Sequence, residues 1–250
     1  MISKNQIKNI TALSHKKMRD ETGLFVAEGS KLVIDLASAF KLKECYATNE
    51  WLQNNKVSFR DKIQEVSIEE LKKISSQKSP QGILAIFEKP NYNLSIITDS
   101  ELCLALDDIQ DPGNLGTIIR IADWFGIKNI LCSPLTADAF GHKTVQATMG
   151  ALARVNVHYV DLLKYIEKLP HQFPVYGTFM DGNDLYFETL TPNGLIVMGN
   201  EGNGISHAVS ELINHRLTIP SFPKNEATSE SLNVAVATSI VCAEFRRRLK

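Results

Sequence analysis

Apolar residues near the start of the chain recur at helical spacing, with Ile7, Ile10 and Leu13 on one face of a helix predicted over 1–20. A short strand follows at 25–27, then an amphipathic helix over 30–40 with Leu32, Val33, Leu36 and Ala37 turned inward. Short apolar runs at 44–47, at Val66 and at 83–87 enclose a helical stretch at 68–76, an α/β alternation on a small scale. Lys89-Pro90-Asn91-Tyr92-Asn93 is rich in turn formers, so a boundary is placed at about 90–100.

Beyond that boundary the rhythm is cleaner. Strand-like runs are predicted at 102–106, 129–132, 155–160, 175–179, 195–198 and 217–219. Helical stretches fall among them at 114–125, 143–153, 162–168, 206–214 and 231–249. Strands alternating with helices imply a mostly parallel sheet covered on both faces. The expected division is a small α/β domain over 1–92, a linker over 93–101 and a larger α/β domain over 102–250.

Composition changes this picture little. A chain of 250 residues that is 44% apolar and 22% charged is an ordinary globular protein with enough length for a core in each half. No run approaches the ~18 apolar residues of a membrane span, and the first residues lack the apolar segment of a signal peptide. Cys45, Cys103, Cys132 and Cys242 are far apart, as in a reduced cytoplasmic protein, and neither they nor the six histidines show metal-ligand spacing. Net charge is −1, but unevenly spread: residues 1–89 hold 15 Lys and Arg against 11 Asp and Glu, and residues 90–250 hold 12 against 17. Lys4, Lys8, Lys16, Lys17 and Arg19 crowd one end, and Arg246, Arg247, Arg248 and Lys250 the other. Such clusters are either solvated helix faces or phosphate-contacting footprints.

Three stretches carry candidate chemistry. In the first, a strand ends in Asp107-Asp108-Ile109-Gln110-Asp111-Pro112-Gly113 and a helix starts, with Asn114 as a good N-cap and Arg120 off the helix's apolar face. Loops at the carboxyl ends of parallel strands are where α/β proteins place ligands. Helix spacing also offers Arg120 a plain ion pair with Asp123 at i+3. The second, Met198-Gly199-Asn200-Glu201-Gly202-Asn203-Gly204-Ile205, puts three glycines directly after a strand, where backbone N–H groups can approach a ligand. Its G-x-x-G-x-G order is neither the dinucleotide fingerprint nor a P-loop. Glu201 inside the loop disfavours a pyrophosphate and favours a neutral nucleoside with a cationic centre. In the third, Ile219-Pro220 is followed by Ser231-Leu232-Asn233 before a long apolar helix. Ser231 is a natural cap there, whereas Asn233 is a poor helix former with no local reason to lie in a first turn.

These three segments, in this order, resemble the SpoU (TrmH) family of RNA ribose 2′-O-methyltransferases of the SPOUT class. The family's N-x-G-x-x-x-R matches Asn114, Gly116 and Arg120; its G-x-E-G-x-G matches Gly199–Gly204; its I-P and S-L-N-V match Ile219-Pro220 and Ser231–Val234. Phe25-Val26-Ala27-Glu28-Gly29 and Ser79-Pro80-Gln81-Gly82 resemble the small, L30e-like substrate-binding domain that precedes such catalytic domains. Ser221 stands where the family often has Met, Ala235 where it often has Ser, and the loop 222–229 is longer than in many members.

The resemblance implies an L30e-like α/β domain followed by a SPOUT domain whose C-terminal part forms a trefoil knot. It implies S-adenosylmethionine (AdoMet) held near Met198, Gly199, Gly202, Ile205, Ile219 and Leu232, and a homodimer with the C-terminal helix at its interface. It assigns catalysis to Arg120, with Asn114, Glu201, Ser231 and Asn233 shaping the pocket. Arg120 either removes the 2′-hydroxyl proton, holds an RNA phosphate or stabilises the developing alkoxide. The expected partner is RNA, rRNA of the large subunit before tRNA; no metal and no membrane are expected, and the location is cytoplasmic. A Rossmann dinucleotide enzyme would need its glycines after the first strand and an acid about 20 residues on; here the glycine turn comes late. A non-catalytic RNA-binding relative of the same fold is the other alternative, and the joint presence of Asn114, Arg120 and Asn233 argues against it.

Overall fold

The computed structural model describes residues 1–92, 101–223 and 231–248. These fall into two compact units, Met1–Asn91 with Asp138–Arg154, and Tyr92–Ala137 with Val155–Lys250. All but the last residue of the expected linker at 93–101 and most of the loop at 222–229 lie outside the described residues, as does the predicted helix end at Leu249.

The first unit is built on a four-stranded sheet of β1 (Leu24–Glu28), β2 (Leu42–Ala47), β3 (Ile63–Glu65) and β4 (Ile83–Glu88), in the order β1-β4-β2-β3. β4 runs antiparallel to both β1 and β2, and β2 pairs parallel with β3. The helix expected over 1–20 is two, α1 (Lys4–Ala12) and α2 (Lys16–Thr22), because α1 closes at Leu13 and α2 restarts after His15. α3 (Ser30–Ala37) is shorter than predicted, and α4 (Asn49–Asn54), which the apolar pattern did not show, precedes α5 (Ile68–Ile74). Alternation along the strands gives two buried faces. Tyr46, Leu84 and Ile86 pack with Ile2, Ile10, Leu13, Leu71 and Ile74, whereas Phe25 and Phe87 turn the other way, with Phe40 at 5.4 Å from Phe25.

Residues 138–154 complete this second face from far along the sequence. Phe140 sits 5.0 Å from Phe25, Gln146 donates to the Glu28 carbonyl at 2.8 Å, and Asp138 takes two hydrogen bonds from the buried Arg19 guanidinium at 2.7 and 2.9 Å. The single helix expected over 143–153 is broken into α7 (His142–Thr148) and a 3-10 turn at Ala151–Ala153. Met149 and Gly150 take left-handed backbone angles between them (φ 50° and 94°), a conformation that ends a helix.

The second unit holds a six-stranded sheet of β5 (Leu102–Asp107), β6 (Asn129–Cys132), β7 (Asn156–Tyr159), β8 (Val175–Asp184), β9 (Gly194–Gly199) and β10 (His215–Thr218). Its order is β10-β8-β9-β5-β6-β7 and every pairing is parallel. Cys103, Ala105, Leu195 and Val197 face a core shared with α8 (Leu162–Ile166) and α9 (His207–Ser210). The alternate residues, among them Leu104, Leu106 and Met198, are equally buried, on the side served by α6 (Pro112–Trp124) and α10 (Val234–Arg247), which lie against each other. Continuous apolar strands follow from burial on both faces. α9 is much shorter than the helix expected over 206–214, and Ile219 lies just past β10.

The chain leaves β5 towards β6 and leaves β9 towards β10, in opposite directions across the sheet. The carboxyl ends of the adjacent strands β5 and β9 are therefore the topological switch point, where open α/β sheets bind ligands.

Candidate active site

Two helix caps lie three and two residues from where the sequence places them. Asp111, not Asn114, caps α6, accepting from the Asn114 backbone N–H at 2.7 Å, with Pro112 at the first helical position. Proline fits there because its missing N–H has no intrahelical partner to lose. This frees the Asn114 side chain for other work. Asn233, not Ser231, caps α10: its Oδ1 accepts from Ala235 and Val236 N–H at 3.0 and 3.3 Å. The asparagine that had no reason to lie in a first turn lies just before one.

Both amides then join a single chain of hydrogen bonds. Asn233 Nδ2 donates to Asn114 Oδ1 at 3.0 Å, and Asn114 Nδ2 donates to Glu201 Oε1 at 2.8 Å. Three segments separated by up to 119 residues, the starts of α6 and α10 and the glycine loop after β9, are tied at the switch point. Ser231 and Leu232 immediately precede the cap and are exposed. Arg120 lies further along α6 with an exposed side chain, and no ion pair or side-chain hydrogen bond engages it among the described residues.

The glycine loop has its own scaffold, which the motif reading missed. Asn200 Oδ1 accepts from Gly202 and Asn203 N–H at 2.9 and 3.0 Å, while Asn200 Nδ2 donates to the Asp108 carbonyl at 2.7 Å. Asn200 and Gly204 exchange backbone hydrogen bonds of 2.9 Å each. Buried Asp107 accepts from Ser206 N–H at 2.8 Å, and Ser133 donates to Asp108, whose φ of 59° marks a tight turn. The available signal was an asparagine inside a glycine-rich turn, since asparagine readily bonds backbone two residues on.

The predicted cofactor contacts divide by what they expose. A Cβ on Gly199 would lie 2.2 Å from the Gly204 carbonyl carbon and the Ile205 nitrogen, so the loop closes only over glycine. Gly202 is exposed, with only Asn200 Oδ1 within 4 Å of a built Cβ. Met198 is buried and Ile205 packs against the sheet core, so each offers mainly backbone. Ile219, just past β10, is half-buried, and Leu232, next to the Asn233 cap, is 47% exposed, so both keep apolar side-chain surface open. A separate cavity of about 890 Å³ in the first unit, between Thr48, Trp51, Asn55 and Gln81, contains none of these residues. Among the described residues no group of three or more His, Cys, Asp and Glu is placed to hold a metal ion, and no helix is long and apolar enough to cross a membrane.

Comparisons with known proteins agree with this layout. Residues 101–243 match the SpoU rRNA Methylase family and residues 4–85 match an MRM3-like substrate binding domain. A relative from Bacillus subtilis, the 23S rRNA (guanosine(2553)-2′-O)-methyltransferase RlmP, is 32% identical over 98% of this chain and 97% of its own. A TrmH-family protein from Porphyromonas gingivalis superposes with a TM-score of 0.89 at 39% identity, covering 99% of both chains. An AdoMet-bound rRNA methyltransferase from Sinorhizobium meliloti gives 0.85 at 31% identity, over 100% of this chain and 98% of that one. With matched motifs, matched fold and relatives similar from end to end, this chain belongs to the SpoU rRNA methylase family.

Proposed function

We propose that the protein transfers a methyl group from AdoMet to a ribose 2′-hydroxyl of large-subunit rRNA. The observation that carries this reading is the Asn233–Asn114–Glu201 hydrogen-bond chain, which assembles the three family motifs into one site at the switch point. The nearly full-length similarity to a 23S rRNA 2′-O-methyltransferase supports RNA of the large subunit; tRNA is the second reading, to be separated by experiment.

The residues present fit the methyl donor. Its nucleoside is neutral and partly apolar, suiting half-buried Ile219, exposed Leu232 and the exposed main chain at Gly202. Its sulfonium is cationic, suiting a loop whose one charge is the Glu201 carboxylate. Met198, Gly199 and Ile205 would hold it through backbone. When bound, AdoMet supplies an electrophilic methyl group, and aligning the ribose oxygen in line with it accounts for much of the acceleration. A guanidinium stays protonated at any working pH. Arg120, exposed and without an ion pair among the described residues, therefore serves as the clamp for an RNA phosphate or for charge building on the ribose oxygen. Asn114 and Asn233 orient the carboxylate, and Ser231 and Leu232 line the approach.

Residues 1–92 act as the RNA substrate-binding domain and 102–250 as the SPOUT domain, with the C-terminal segment threaded as a trefoil knot. A cytoplasmic homodimer completes the reading. Its support is apolar surface on the α6 and α10 side, where Trp124 is 85% and Val236 48% exposed. Isothermal titration is expected to show AdoMet binding and no NAD binding. Mapping 2′-O-methyl sites in total RNA from a deletion strain is expected to show one site lost from large-subunit rRNA; loss from tRNA with rRNA intact overturns the substrate.

A further inference from the structure

The cavity of about 890 Å³ in the first unit takes no part in the methyl-transfer site. It opens at the end of the four-stranded sheet where β1, β2 and β3 finish and β4 begins. The fold fixes its walls. The Trp51 indole N–H donates to Ser30 Oγ at 2.5 Å, and Thr48 N–H donates to the Gly82 carbonyl at 2.9 Å. Gly82 passes so close that a Cβ there would meet Trp51 Cβ at 3.1 Å. Buried Trp51 and Val66 form an apolar floor with half-buried Pro80, and Glu50, Asn54 and Gln81 stand exposed at the mouth.

The lining selects against a phosphate. Among the described residues no Lys, Arg or His lines the cavity, whereas Glu50, Glu65 and Glu70 do. The two helices that start in its wall, α4 and α5, each spend a first-turn N–H on their own cap, Thr48 and Ser67. Two of the carboxylates are also spent: Glu65 accepts from Asn49 Nδ2 at 3.0 Å, and Glu70 from Ile2 and Ser67 N–H at 2.8 and 3.1 Å. Glu50, Asn54 and Gln81 have no side-chain hydrogen bond or ion pair among the described residues. The same holds for two exposed cations outside the cavity, Lys31, next in the chain to Ser30, and Lys78, two residues before Pro80.

We propose that this cavity takes one unpaired base of the RNA substrate, a guanine, and leaves its phosphates outside. This rests on the reading of residues 1–92 as the RNA substrate-binding domain. Sequence-specific RNA recognition reads splayed-out bases on their Watson–Crick edge while the ring lies on apolar surface. A carboxylate only accepts hydrogen bonds. Guanine offers it two adjacent donors, N1–H and the N2 amino group, whereas adenine, cytosine and uracil each offer one donor group beside an acceptor. The Asn54 and Gln81 amides can donate to guanine O6. Lys31 and Lys78 are the cations available to the backbone that stays outside, so charge positions the strand and the cavity specifies the base.

The test observes the two indole N–H resonances of the full, nitrogen-15-labelled chain, with S-adenosylhomocysteine filling the cofactor site. The probes are the tetranucleotides UUGU, UUAU, UUCU and UUUU. UUGU is expected to shift the Trp51 resonance at concentrations roughly tenfold below the other three, leaving that of Trp124, in the other unit, in place. Glu50→Gln is expected to erase that preference and to raise the KM for unmodified large-subunit rRNA about tenfold, with kcat, AdoMet affinity and melting temperature unchanged. A Trp51 resonance that ignores all four probes or answers them alike overturns the proposal, and so does a Glu50→Gln variant with wild-type KM. Ultraviolet crosslinking of bound rRNA separates this from failure of the parent reading. Crosslinks absent from residues 1–91 overturn the domain assignment and the pocket with it. Crosslinks within them, with Glu50→Gln silent, overturn the guanine pocket alone.

Discussion

Asn233 performs two tasks with one amide, and substitutions can separate them. Its oxygen caps α10 through two backbone N–H groups, and its nitrogen starts the relay to Asn114. Replacing an N-cap asparagine with alanine costs about 1 kcal/mol, which in a chain of this size lowers the melting temperature by about 2–4 °C. Asn233→Ala is therefore expected to lose both a few degrees and activity. Asn233→Asp is the sharper probe. Aspartate caps as well as asparagine, and its charge at a helix N-terminus adds about 0.3–1 kcal/mol, so melting is expected to be unchanged or slightly higher.

The relay is broken all the same. A carboxylate at 233 has no donor for Asn114 Oδ1. If the Asn114 amide flips to serve it, that oxygen turns on the Glu201 carboxylate, replacing a 2.8 Å hydrogen bond with repulsion. Losing one such partner costs about 1–3 kcal/mol, which is roughly 5- to 150-fold in rate where the contact is used in the transition state. The assay is single-turnover transfer from labelled AdoMet to unmodified rRNA, with a thermal melt of the same sample. An aspartate variant that melts and methylates like wild type refutes the directional relay. An alanine variant that loses activity but not stability refutes the cap.

Gly199→Ala is expected to remove AdoMet binding in calorimetry, since its Cβ meets backbone at 2.2 Å, whereas Gly202→Ala, with open space, should bind within a few-fold of wild type. Asp138→Ala strands the Arg19 guanidinium, whose side chain is 6% exposed, leaving it among the described residues only the Leu13 and Ser14 carbonyls as partners. Losing one side of a buried pair costs about 3–5 kcal/mol, to be read as a lowered midpoint in urea. A fragment of residues 1–92 lacks Asp138 and Phe140 altogether and is expected to show no cooperative transition on its own. Hydrogen bonds from Arg247 first, and also Arg248, pull buried Glu244 from 4.5 down to about 2. A depressed carboxyl stabilises the fold above its ordinary value and stops doing so as pH falls through about 4.5 to 2, so up to about 3 kcal/mol is lost across that window. Glu244→Gln should flatten that acid limb, and a variant as acid-sensitive as wild type would contradict the pairing.

Much of the second unit was legible because a parallel sheet buried on both faces writes itself as solid apolar runs. β5, β6 and β9 lie within a residue or two of their predicted bounds for that reason. Side-chain capping was harder to read. Asp111 and Asn114, or Ser231 and Asn233, are all good caps by residue type, and only the placement of neighbouring elements decides which backbone N–H each can reach. The part of the first unit contributed by residues 138–154 was invisible, since Arg19–Asp138 and Phe25–Phe140 are contacts across more than a hundred positions and leave no local periodicity. The candidate site was legible in its motifs but not in its joints. Asn200, which folds the glycine loop on itself and on Asp108, resembles any other polar residue in a turn until its three hydrogen bonds are seen.

The central claim is that the chemistry takes place at a ribose. The direct measurement is incubation of the purified chain with tritiated AdoMet and unmodified large-subunit rRNA, followed by alkaline hydrolysis. A 2′-O-methyl group blocks cleavage at its own nucleotide, so the label is expected in a single alkali-resistant dinucleotide. Label in mononucleotides, which places the methyl group on a base, or no label in any RNA would contradict it.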